Sequence, residues 1–176
     1  MIRFGSLPED ARWRPLPPIP DERGAFAEIY RGEWMEGPPA LQWNFIRSKP
    51  GVMRGVRVHR RHDDHLVVLD GFLIVGLRDF RRESSTFGRT TLLELRGSSL
   101  SLLKIPAGVA HGLYVAEPSL FVIGVTRYHE PSDDIPCRWD DPALEIPWPF
   151  AEARVSPTDG GGRTMAEVIE LVGRPG

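Results

Sequence analysis

The chain has 176 residues, 41% of them hydrophobic and 26% charged, as is ordinary for one globular domain spanning residues 1–176. Its net charge of −2 argues against nucleic acid or an anionic membrane as a partner, and no apolar stretch approaches the ~18 residues that span a bilayer. Cys137 is the only cysteine and the first residues carry no signal-peptide pattern, so we expect a cytoplasmic protein without an intrachain disulfide.

Short segments punctuated by glycine and proline predict an all-β protein. The chain contains 18 glycines and 17 prolines, and the segments between them recur about every ten residues. The predicted strands are Ala25–Tyr30, Leu41–Ser48, Val52–Val58, His65–Leu69, Phe72–Asp79, Thr90–Leu95, Ser101–Ile105, Gly112–Val115 and Leu120–Tyr128. Only Thr164–Val172 has a convincing helical pattern. Many short strands with regular turns indicate a β-sandwich or barrel.

Two local patterns refine this prediction. Asp70-Gly71 lies between two apolar runs and predicts a hairpin turn. Alternation is imperfect in Leu66–Leu69 and Phe72–Val75, which indicates strands buried on both faces. An immunoglobulin-like sandwich is the alternative, but the chain lacks the Cys–Trp–Cys pattern typical of that fold.

Nine motifs follow one another along nearly the whole chain. They are Asp21–Glu28, Gln42–Ser48, Gly51–Gly55, Asp79–Arg81 with Ser85–Gly88, Pro106–Gly112, Tyr128–Pro131, Trp139–Pro142, Ile146–Pro149 and Ser156–Asp159. Each motif alone is weak. In this order and at this spacing they resemble the dTDP-4-dehydrorhamnose 3,5-epimerase family, a branch of the cupins.

The resemblance implies a fold, a substrate class and a binding site. The expected fold is a cupin-type jelly-roll β-barrel with a short C-terminal helix, paired into a homodimer. The expected activity is that of an epimerase or isomerase, which removes a proton next to the ketone of a dTDP-4-keto-6-deoxyhexose without a cofactor. The residues implied to hold the nucleotide and its diphosphate are Arg23, Glu28, Gln42, Asn44 and Arg54. Guanidinium groups suit this role because they present paired donors to phosphate oxygens.

The chain departs from the family pattern at the residues that move protons. The resemblance implies a His base oriented by an Asp, and a Tyr acid. Asp159 matches that Asp, but Arg57 stands at the base position and Ile123 at the acid position. A family Lys is replaced by Asp64. Because an arginine stays protonated and an isoleucine has no proton to give, neither can take over the usual role.

Histidines near these positions are the candidate replacements. His59 follows Arg57 by two residues, so both side chains should point to the same face of a strand. His111 matches the histidine of the second cupin-like motif. We therefore predict that Arg57, His59, His111 and Asp159 converge, with His59 or His111 as the base and Arg57 stabilising the enolate oxygen. His62 and His65 are more typical of structural histidines.

Two alternative functions remain open from the sequence. The first is a repurposed or non-catalytic cupin that binds a sugar nucleotide, favoured by the altered base and acid positions. The second is a metal-dependent cupin enzyme, because His59, Asp64 and His111 match three of the four ligand places of metal-binding cupins. Arg57 at the remaining place argues against the metal, because a cation beside a metal ion is unfavourable.

Overall fold

Two antiparallel sheets and a small hairpin form most of the fold in the computed structural model, which describes residues 2–173. The strands are β1 Ile2–Phe4, β2 Arg12–Pro15, β3 Ile19–Asp21, β4 Gly24–Phe26, β5 Gln42–Ser48, β6 Val52–His59, β7 Asp64–Asp70, β8 Phe72–Asp79, β9 Thr90–Arg96, β10 Ser101–Ile105, β11 Val109–Val115, β12 Ser119–Val125 and β13 Asp134–Pro136. The helices are α1 Pro157–Gly160 and α2 Met165–Val172, with 3₁₀ turns at Gly32–Trp34, Pro131–Asp133 and Pro142–Leu144.

The order of strands within the sheets is that of a sandwich built by long crossovers. Six strands pair in the order β1-β9-β8-β11-β6-β13, and five pair in the order β2-β10-β7-β12-β5. Strands β3 and β4 form a separate hairpin. Most strands consecutive in sequence, such as β7 and β8, therefore lie in different sheets, whereas β8 and β9 pair directly. The prediction of an all-β cupin-type jelly roll with a short C-terminal helix is confirmed, as two facing sheets.

The main core fills the space between the two sheets. Leu73, Val75 and Leu77 of β8 are fully buried and share one cluster with Leu66 and Phe121 from the opposing sheet. Burying such side chains is worth ~1.5–3 kcal/mol each, so this cluster is a principal source of stability.

Strand β7 is covered on both faces, as its imperfect alternation predicts. Leu66 faces the main core, while Val67 belongs to a second cluster with Leu16 and Met35 of the N-terminal segment. The N-terminal segment thus covers the outer face of the five-stranded sheet, which leaves no polar-facing side along most of β7.

The predicted hairpin at Asp70-Gly71 is wrong. The turn joins β7 to β8, but β7 pairs with β10 and β12, whereas β8 pairs with β9 and β11. Gly71 has φ +81°, and a Cβ there would lie 2.3 Å from the Pro118 carbonyl oxygen. The glycine is therefore needed for a tight corner between sheets, a geometry that the Asp-Gly pattern does not distinguish from a hairpin.

Strand boundaries agree closely in the middle of the chain and less well at its edges. Phe72–Asp79 and Ser101–Ile105 are confirmed to the residue. The strand predicted at Ala25–Tyr30 ends at Phe26, and the one predicted at Leu120–Tyr128 ends at Val125.

Helix α2 closes the described part of the chain. Thr164 caps it in a reciprocal capping box with Glu167, and Val168 is fully buried in the cluster under the six-stranded sheet. Among residues 2–173, no helix has the length and apolar character needed to cross a membrane.

Candidate active site

A cavity of about 440 Å³ lies between the two sheets. One wall is formed by β6 and β11 of the six-stranded sheet and the other by β5 and β12 of the five-stranded sheet, while Asp64 comes from the start of β7. The loop that carries α1 contributes Asp159, and β13 contributes Asp134. The cavity contains all four residues predicted to converge, which are Arg57, His59, His111 and Asp159.

A bulge in β6 brings two arginines to the cavity. Arg54 and Arg57 are three residues apart and would face opposite sides of a regular strand. The pairing register with β11 shifts between His111 and Leu113, opposite Gly55, and both arginines consequently line the cavity. Gly55 has φ +90°, and a Cβ there would lie 2.7 Å from the His111 carbonyl oxygen, so a side chain at this position would disrupt the bulge.

Two carboxylates hold Arg57. Its Nε and Nη2 donate to Asp159 Oδ1 at 2.9 and 2.8 Å, and its Nη1 pairs with Asp134 Oδ2. Burial works against the charged guanidinium, but the fields of Asp134 and Asp159 prevail and raise the pKa of Arg57. Ser156 fixes Asp159 in turn, since its hydroxyl donates to Asp159 Oδ2 at 2.8 Å. Arg57 is therefore a fixed, fully protonated donor at the cavity wall.

Three histidines surround the carboxylate of Asp64. His111 Nε2 lies 3.0 Å and His59 Nε2 lies 3.6 Å from Asp64 Oδ2, while His62 Nε2 lies 3.4 Å from Asp64 Oδ1. The rings of His59 and His62 stack with centroids 4.1 Å apart. We call these four residues the Asp64 cluster. Asp64 and His62 are each 5% exposed, so the cluster is almost entirely removed from solvent.

Protonation differs among the members of this cluster. Burial, reinforced by the neighbouring His111 and His62, lowers the pKa of His59 to about 4 despite the attraction of Asp64. Burial also acts on His62, but its contacts with Asp64 and Asp133 outweigh it and raise the pKa. Burial alone would raise the pKa of Asp64, yet contacts from His111 and His62 lower it. At neutral pH, His59 is thus a neutral imidazole beside an ionised carboxylate.

Neither ring nitrogen of His59 is within hydrogen-bonding distance of a neighbouring carboxylate in the described part of the chain. Its Nε2 lies beyond hydrogen-bonding distance of Asp64, and its buried Nδ1 has no hydrogen-bond partner among residues 2–173. The nearest acceptor to Nδ1 is Asp134 Oδ1, 4.0 Å away and likewise without a hydrogen bond in that range. A proton on Nδ1 directed at Asp134 would leave the Nε2 lone pair available to a ligand.

The opposite wall of the cavity is apolar where β12 passes. Phe121, Ile123 and Val125 contribute hydrocarbon to it. Ile123 is the residue at the position where the resemblance implies an acid, and its side chain has no proton to donate.

Two of the five predicted nucleotide-binding residues line the cavity, namely Asn44 and Arg54. Arg54 Nε donates to Ser48 Oγ at 3.3 Å, and this leaves other guanidinium donors for a ligand. Gln42 supports Asn44 from the side, because its Nε2 donates to Asn44 Oδ1 at 2.8 Å. Gln42 Oε1 also accepts from the His129 backbone N–H at 3.0 Å.

Arg23 and Glu28, like Gln42, do not line the cavity. Arg23 lies in the exposed β3–β4 hairpin, where its Nη2 donates to Asp21 Oδ2 at 2.7 Å. Glu28 pairs with Arg31 on the surface. Within a single chain, the structure therefore separates this part of the predicted binding set from the rest.

Three polar residues of the site were not selected from the sequence. The sequence pattern around His62 is typical of a structural histidine, and no sequence pattern marks Asp133 or Asp134. His62 Nδ1 lies 2.9 Å from Asp133 Oδ2, across 71 residues of sequence. The sequence feature that marks His62 is the concentration of histidine and aspartate between residues 59 and 65. Nothing local marks Asp133 and Asp134, which reach the site through the pairing of β13 with β6.

Comparisons with known sequences assign the chain to one family. The sequence model of the family described as dTDP-4-dehydrorhamnose 3,5-epimerase matches residues 10–167. The protein of that name from Pseudomonas aeruginosa is 33% identical over 156 residues, which cover 84% of this chain and 86% of that protein. Its counterpart from Salmonella typhimurium is 32% identical over 141 residues, covering 75% and 77% of the two chains. The Neisseria gonorrhoeae protein of the same name is 32% identical over 155 residues; the match covers 84% of this chain but 47% of that protein's length.

Solved structures show the same fold. The dTDP-6-deoxy-D-glucose-3,5-epimerase RmlC from Legionella pneumophila, in complex with dTDP-4-keto-L-rhamnose, superposes with a TM-score of 0.87 at 27% identity, covering 98% of this chain and 96% of that one. ChmJ, a 3'-monoepimerase from Streptomyces bikiniensis in complex with dTDP-quinovose, superposes with a TM-score of 0.85 at 23% identity over 95% and 89% of the chains. Sequence and fold agree over nearly the whole length, and the chain belongs to the dTDP-4-dehydrorhamnose 3,5-epimerase family.

Proposed function

We propose that this protein is an epimerase or isomerase that acts on a dTDP-4-keto-6-deoxyhexose by removing a proton from the carbon next to the ketone. One observation carries the proposal. In a chain of this family, a single cavity holds Arg54, the fixed guanidinium of Arg57 and the neutral imidazole of His59 along one strand. A diphosphate, a ketone oxygen and an acidic C–H bond each have a suitable protein group there.

The nucleotide end of the substrate is assigned to Arg54 and Asn44. A guanidinium with free donors forms charge-assisted hydrogen bonds to phosphate oxygens, and a side-chain amide both donates and accepts. Gln42 holds Asn44 in position through the bond between their side chains. This placement leaves the sugar to extend along β6 towards Arg57 and His59.

The chemical step moves one proton and one electron pair. His59 Nε2 takes the proton from the carbon next to the ketone, and the electrons of the broken C–H bond move onto the ketone oxygen to form an enolate. Arg57 donates hydrogen bonds to that oxygen, and Asp134 and Asp159 hold the guanidinium in place. Proton transfer of this kind requires no cofactor to accept electrons. The positioning of the imidazole is assigned to Asp134, which faces Nδ1.

His59 is a better base than His111 in this geometry. His111 Nδ1 lies 3.2 Å from the Val109 carbonyl oxygen and its Nε2 lies 3.0 Å from Asp64. Both of its nitrogens thus face acceptors, which leaves no ring nitrogen directed at a ligand. His59 has no such pair of close acceptors and carries the free lone pair that a base needs.

Deuterium incorporation tests the proposed reaction. The full chain is incubated in heavy water with a dTDP-4-keto-6-deoxyhexose, and ring deuterium is followed by mass spectrometry and NMR. We expect one solvent deuteron at a carbon adjacent to the ketone. Binding of the sugar nucleotide, measured by calorimetry, without any exchange would contradict the catalytic proposal and would favour a binding role.

A homodimer is part of the proposal. Strand β5 is an edge strand, and Phe45 on it is 62% exposed, as is Phe26 on the hairpin. Large exposed apolar side chains at a sheet edge are typical of a surface that another chain covers. In such a dimer, Arg23 and Glu28 of one chain would reach the cavity of the other chain. Light scattering at micromolar concentration tests this, and a monomer would contradict it.

Placement in the cytoplasm is also part of the proposal. Cys137 is the only cysteine and is fully buried, where burial and Asp141 raise the pKa of its thiol to about 12. A thiol of this kind is unreactive and fits a reducing compartment. Fractionation of the native host with detection of the protein in the membrane or external fraction would contradict this placement.

A further inference from the structure

The Asp64 cluster contains more nitrogen bases than one carboxylate needs. Three imidazoles present Nε2 to the two oxygens of Asp64 at 3.0, 3.4 and 3.6 Å. A buried carboxylate can be satisfied by backbone amides or hydroxyls, whereas three packed imidazoles cannot all carry charge without repelling one another.

The far nitrogens of the same rings face acceptors, two of them at hydrogen-bonding distance. His62 Nδ1 lies 2.9 Å from Asp133 Oδ2, and His111 Nδ1 lies 3.2 Å from the Val109 carbonyl oxygen. His59 Nδ1 faces Asp134 Oδ1 at 4.0 Å. Histidines that bind a metal through Nε2 donate their Nδ1 proton to a carboxylate or a backbone carbonyl in this way, which fixes the tautomer and the ring orientation.

The inner atoms are close enough to be drawn onto one ion if the stacked rings of His59 and His62 tilt towards it. Ligand atoms of His59, His62 and Asp64 all lie within 4.8 Å of one another. With metal–ligand bonds of ~2.1 Å, neighbouring ligand atoms are ~3.0–3.4 Å apart in octahedral or tetrahedral geometry. The Asp64 contacts to His62 and His59 are close to this range. Two histidines and one carboxylate form a ligand set that leaves open positions on a divalent transition metal.

Unused hydrogen-bonding capacity is concentrated at the same place. In the part of the chain that the structure describes, Asp64 Oδ1, His59 Nδ1 and Asp134 Oδ1 are buried without a hydrogen bond. Buried polar atoms without partners are unfavourable and uncommon. A cation bound to Asp64 Oδ1 and to the Nε2 atoms would satisfy the carboxylate and select the Nδ1–H tautomer of His59.

The charge of Arg57 does not oppose a metal in this arrangement. Its guanidinium is paired with Asp134 and Asp159, so its field is compensated by two carboxylates. Asp64 and Asp133, which both contact His62, bring the number of neighbouring carboxylates among the described residues to four. The local excess of carboxylates over the single guanidinium favours a divalent cation.

We propose that Nε2 of His59, Nε2 of His62 and the carboxylate of Asp64 bind a divalent transition-metal ion, with Asp133 as the outer partner of His62. This ligand set differs from the one suggested by the sequence alternative, because His62 takes the place of His111. His111 remains beside the ion as a contact of the Asp64 carboxylate. Imidazole and carboxylate ligands together suit Zn²⁺, Co²⁺, Fe²⁺, Mn²⁺ and Ni²⁺.

Metal titration of the full chain tests the site without any substrate. The protein is stripped with a chelator, dialysed and titrated with Co²⁺, whose visible absorption reports its ligands, and with Zn²⁺ in a calorimeter. We expect one ion per chain. His62→Ala and Asp64→Asn should each weaken binding on the order of 100-fold or more, and Asp133→Asn about 10–100-fold.

His129→Ala is the matched control, because His129 lines the same cavity but is exposed and lies outside the Asp64 cluster, so its removal should leave the titration unchanged. Circular dichroism in the presence of chelator establishes that each variant is folded. If Asp64→Asn fails to fold, His62→Ala and the rise of the wild-type thermal midpoint with Zn²⁺ decide the question. Failure of the wild type to take up one equivalent, or equal uptake by folded His62→Ala, overturns the proposal.

Discussion

Asp64 and Asp79 are both buried aspartates at strand ends, but their surroundings differ. Asp79, which is fully buried, accepts five hydrogen bonds: Arg81 supplies three of them at 2.8–3.0 Å, and the hydroxyls of Ser84 and Thr86 supply the others at 2.8 and 2.6 Å. Within residues 2–173, the polar contacts of the Asp64 carboxylate are three imidazoles at 3.0–3.6 Å, and one of its oxygens has no hydrogen bond there. One carboxylate is saturated with donors, and the other is surrounded by groups that can exchange partners.

This difference separates a structural role from a functional one. A carboxylate that is fully satisfied by its own loop stabilises that loop and has little capacity left for a ligand. A carboxylate whose neighbours carry free lone pairs retains that capacity, at a cost in stability. The contrast predicts that changes around Asp64 affect chemistry and ligands, while changes around Asp79 affect folding.

The largest expected effect is on proton transfer at the Asp64 cluster. His59→Ala should slow deuterium exchange by about 10²–10⁴-fold, since it removes the proposed base. His111→Ala should slow it less, because both His111 nitrogens already face acceptors. The rates are measured by mass spectrometry on folded protein. Deuterium exchange at the wild-type rate in both variants would show that neither histidine is the base.

Nucleotide affinity should depend on the opposite end of the cavity. Arg54→Ala should cost about 1.5–3 kcal/mol of dTDP binding, because a charge-assisted contact to the diphosphate is lost. Arg23→Ala should cause a loss of similar size only if a second chain brings the hairpin to the cavity. Calorimetry with dTDP measures both variants, and unchanged affinity for Arg54→Ala would contradict the proposed placement of the diphosphate.

The proposed metal and the proposed base use the same lone pair. One equivalent of Zn²⁺ should therefore reduce deuterium exchange by about 10-fold or more, and a chelator should restore it. The residual exchange of His62→Ala should not respond to Zn²⁺. Exchange that is insensitive to Zn²⁺ in a wild-type protein shown to bind the ion would mean that His59 is not the base.

Changes around Asp79 should lower the free energy of unfolding. Thr86→Val keeps the shape of the side chain but removes the hydroxyl, which donates to Asp79 at 2.6 Å and accepts from the Glu9 backbone at 2.8 Å. Unfolding should therefore become easier by about 1–3 kcal/mol. Denaturant melts measure this change. The rate of substrate deuterium exchange per folded molecule should equal that of the wild type. A slower rate would show that the surroundings of Asp79 are coupled to the Asp64 cluster.

The smallest expected effect is a pH dependence of folding. Burial alone would raise the pKa of Asp79, but hydrogen bonds from Arg81, Thr86 and Ser84 lower it. A carboxylate with a lowered folded pKa contributes stability above its unfolded pKa of about 3.9, and the contribution is lost as the pH falls through the folded value. Thr86→Val should therefore reduce the loss of stability on acidification below that pH. An identical acid dependence in both proteins would contradict this assignment.

Much of the fold could be predicted from local sequence, because strand periodicity and turn residues are local properties. The central strands and the C-terminal helix were found in this way. The turn at Asp70-Gly71 was misassigned because the chemistry of a tight turn does not specify which strands pair on either side of it. That choice depends on contacts with β10, β11 and β12, which lie far along the chain.

The candidate site divides in the same way. Alternation along β6 predicted that Arg57 and His59 share a face, and both line the cavity. The bulge at Gly55 that adds Arg54 to this face could not be read from alternation. The contact of His62 with Asp133 joins residues 71 positions apart, so only the folded chain shows that His62 belongs with His59 and Asp64.

Ile123 has a stereochemical consequence. His59 stands on the six-stranded wall of the cavity and Ile123 on the five-stranded wall, so a planar enolate between them has a proton carrier on one face and hydrocarbon on the other. A proton returned by the same imidazole arrives on the face from which it left. Such suprafacial transfer retains configuration at the exchanging carbon, whereas an epimerase returns the proton to the opposite face. The arrangement therefore favours the isomerase of the proposed function, in which a proton moves between adjacent atoms of the sugar. NMR of the deuterated ring carbon would show whether configuration is retained or inverted.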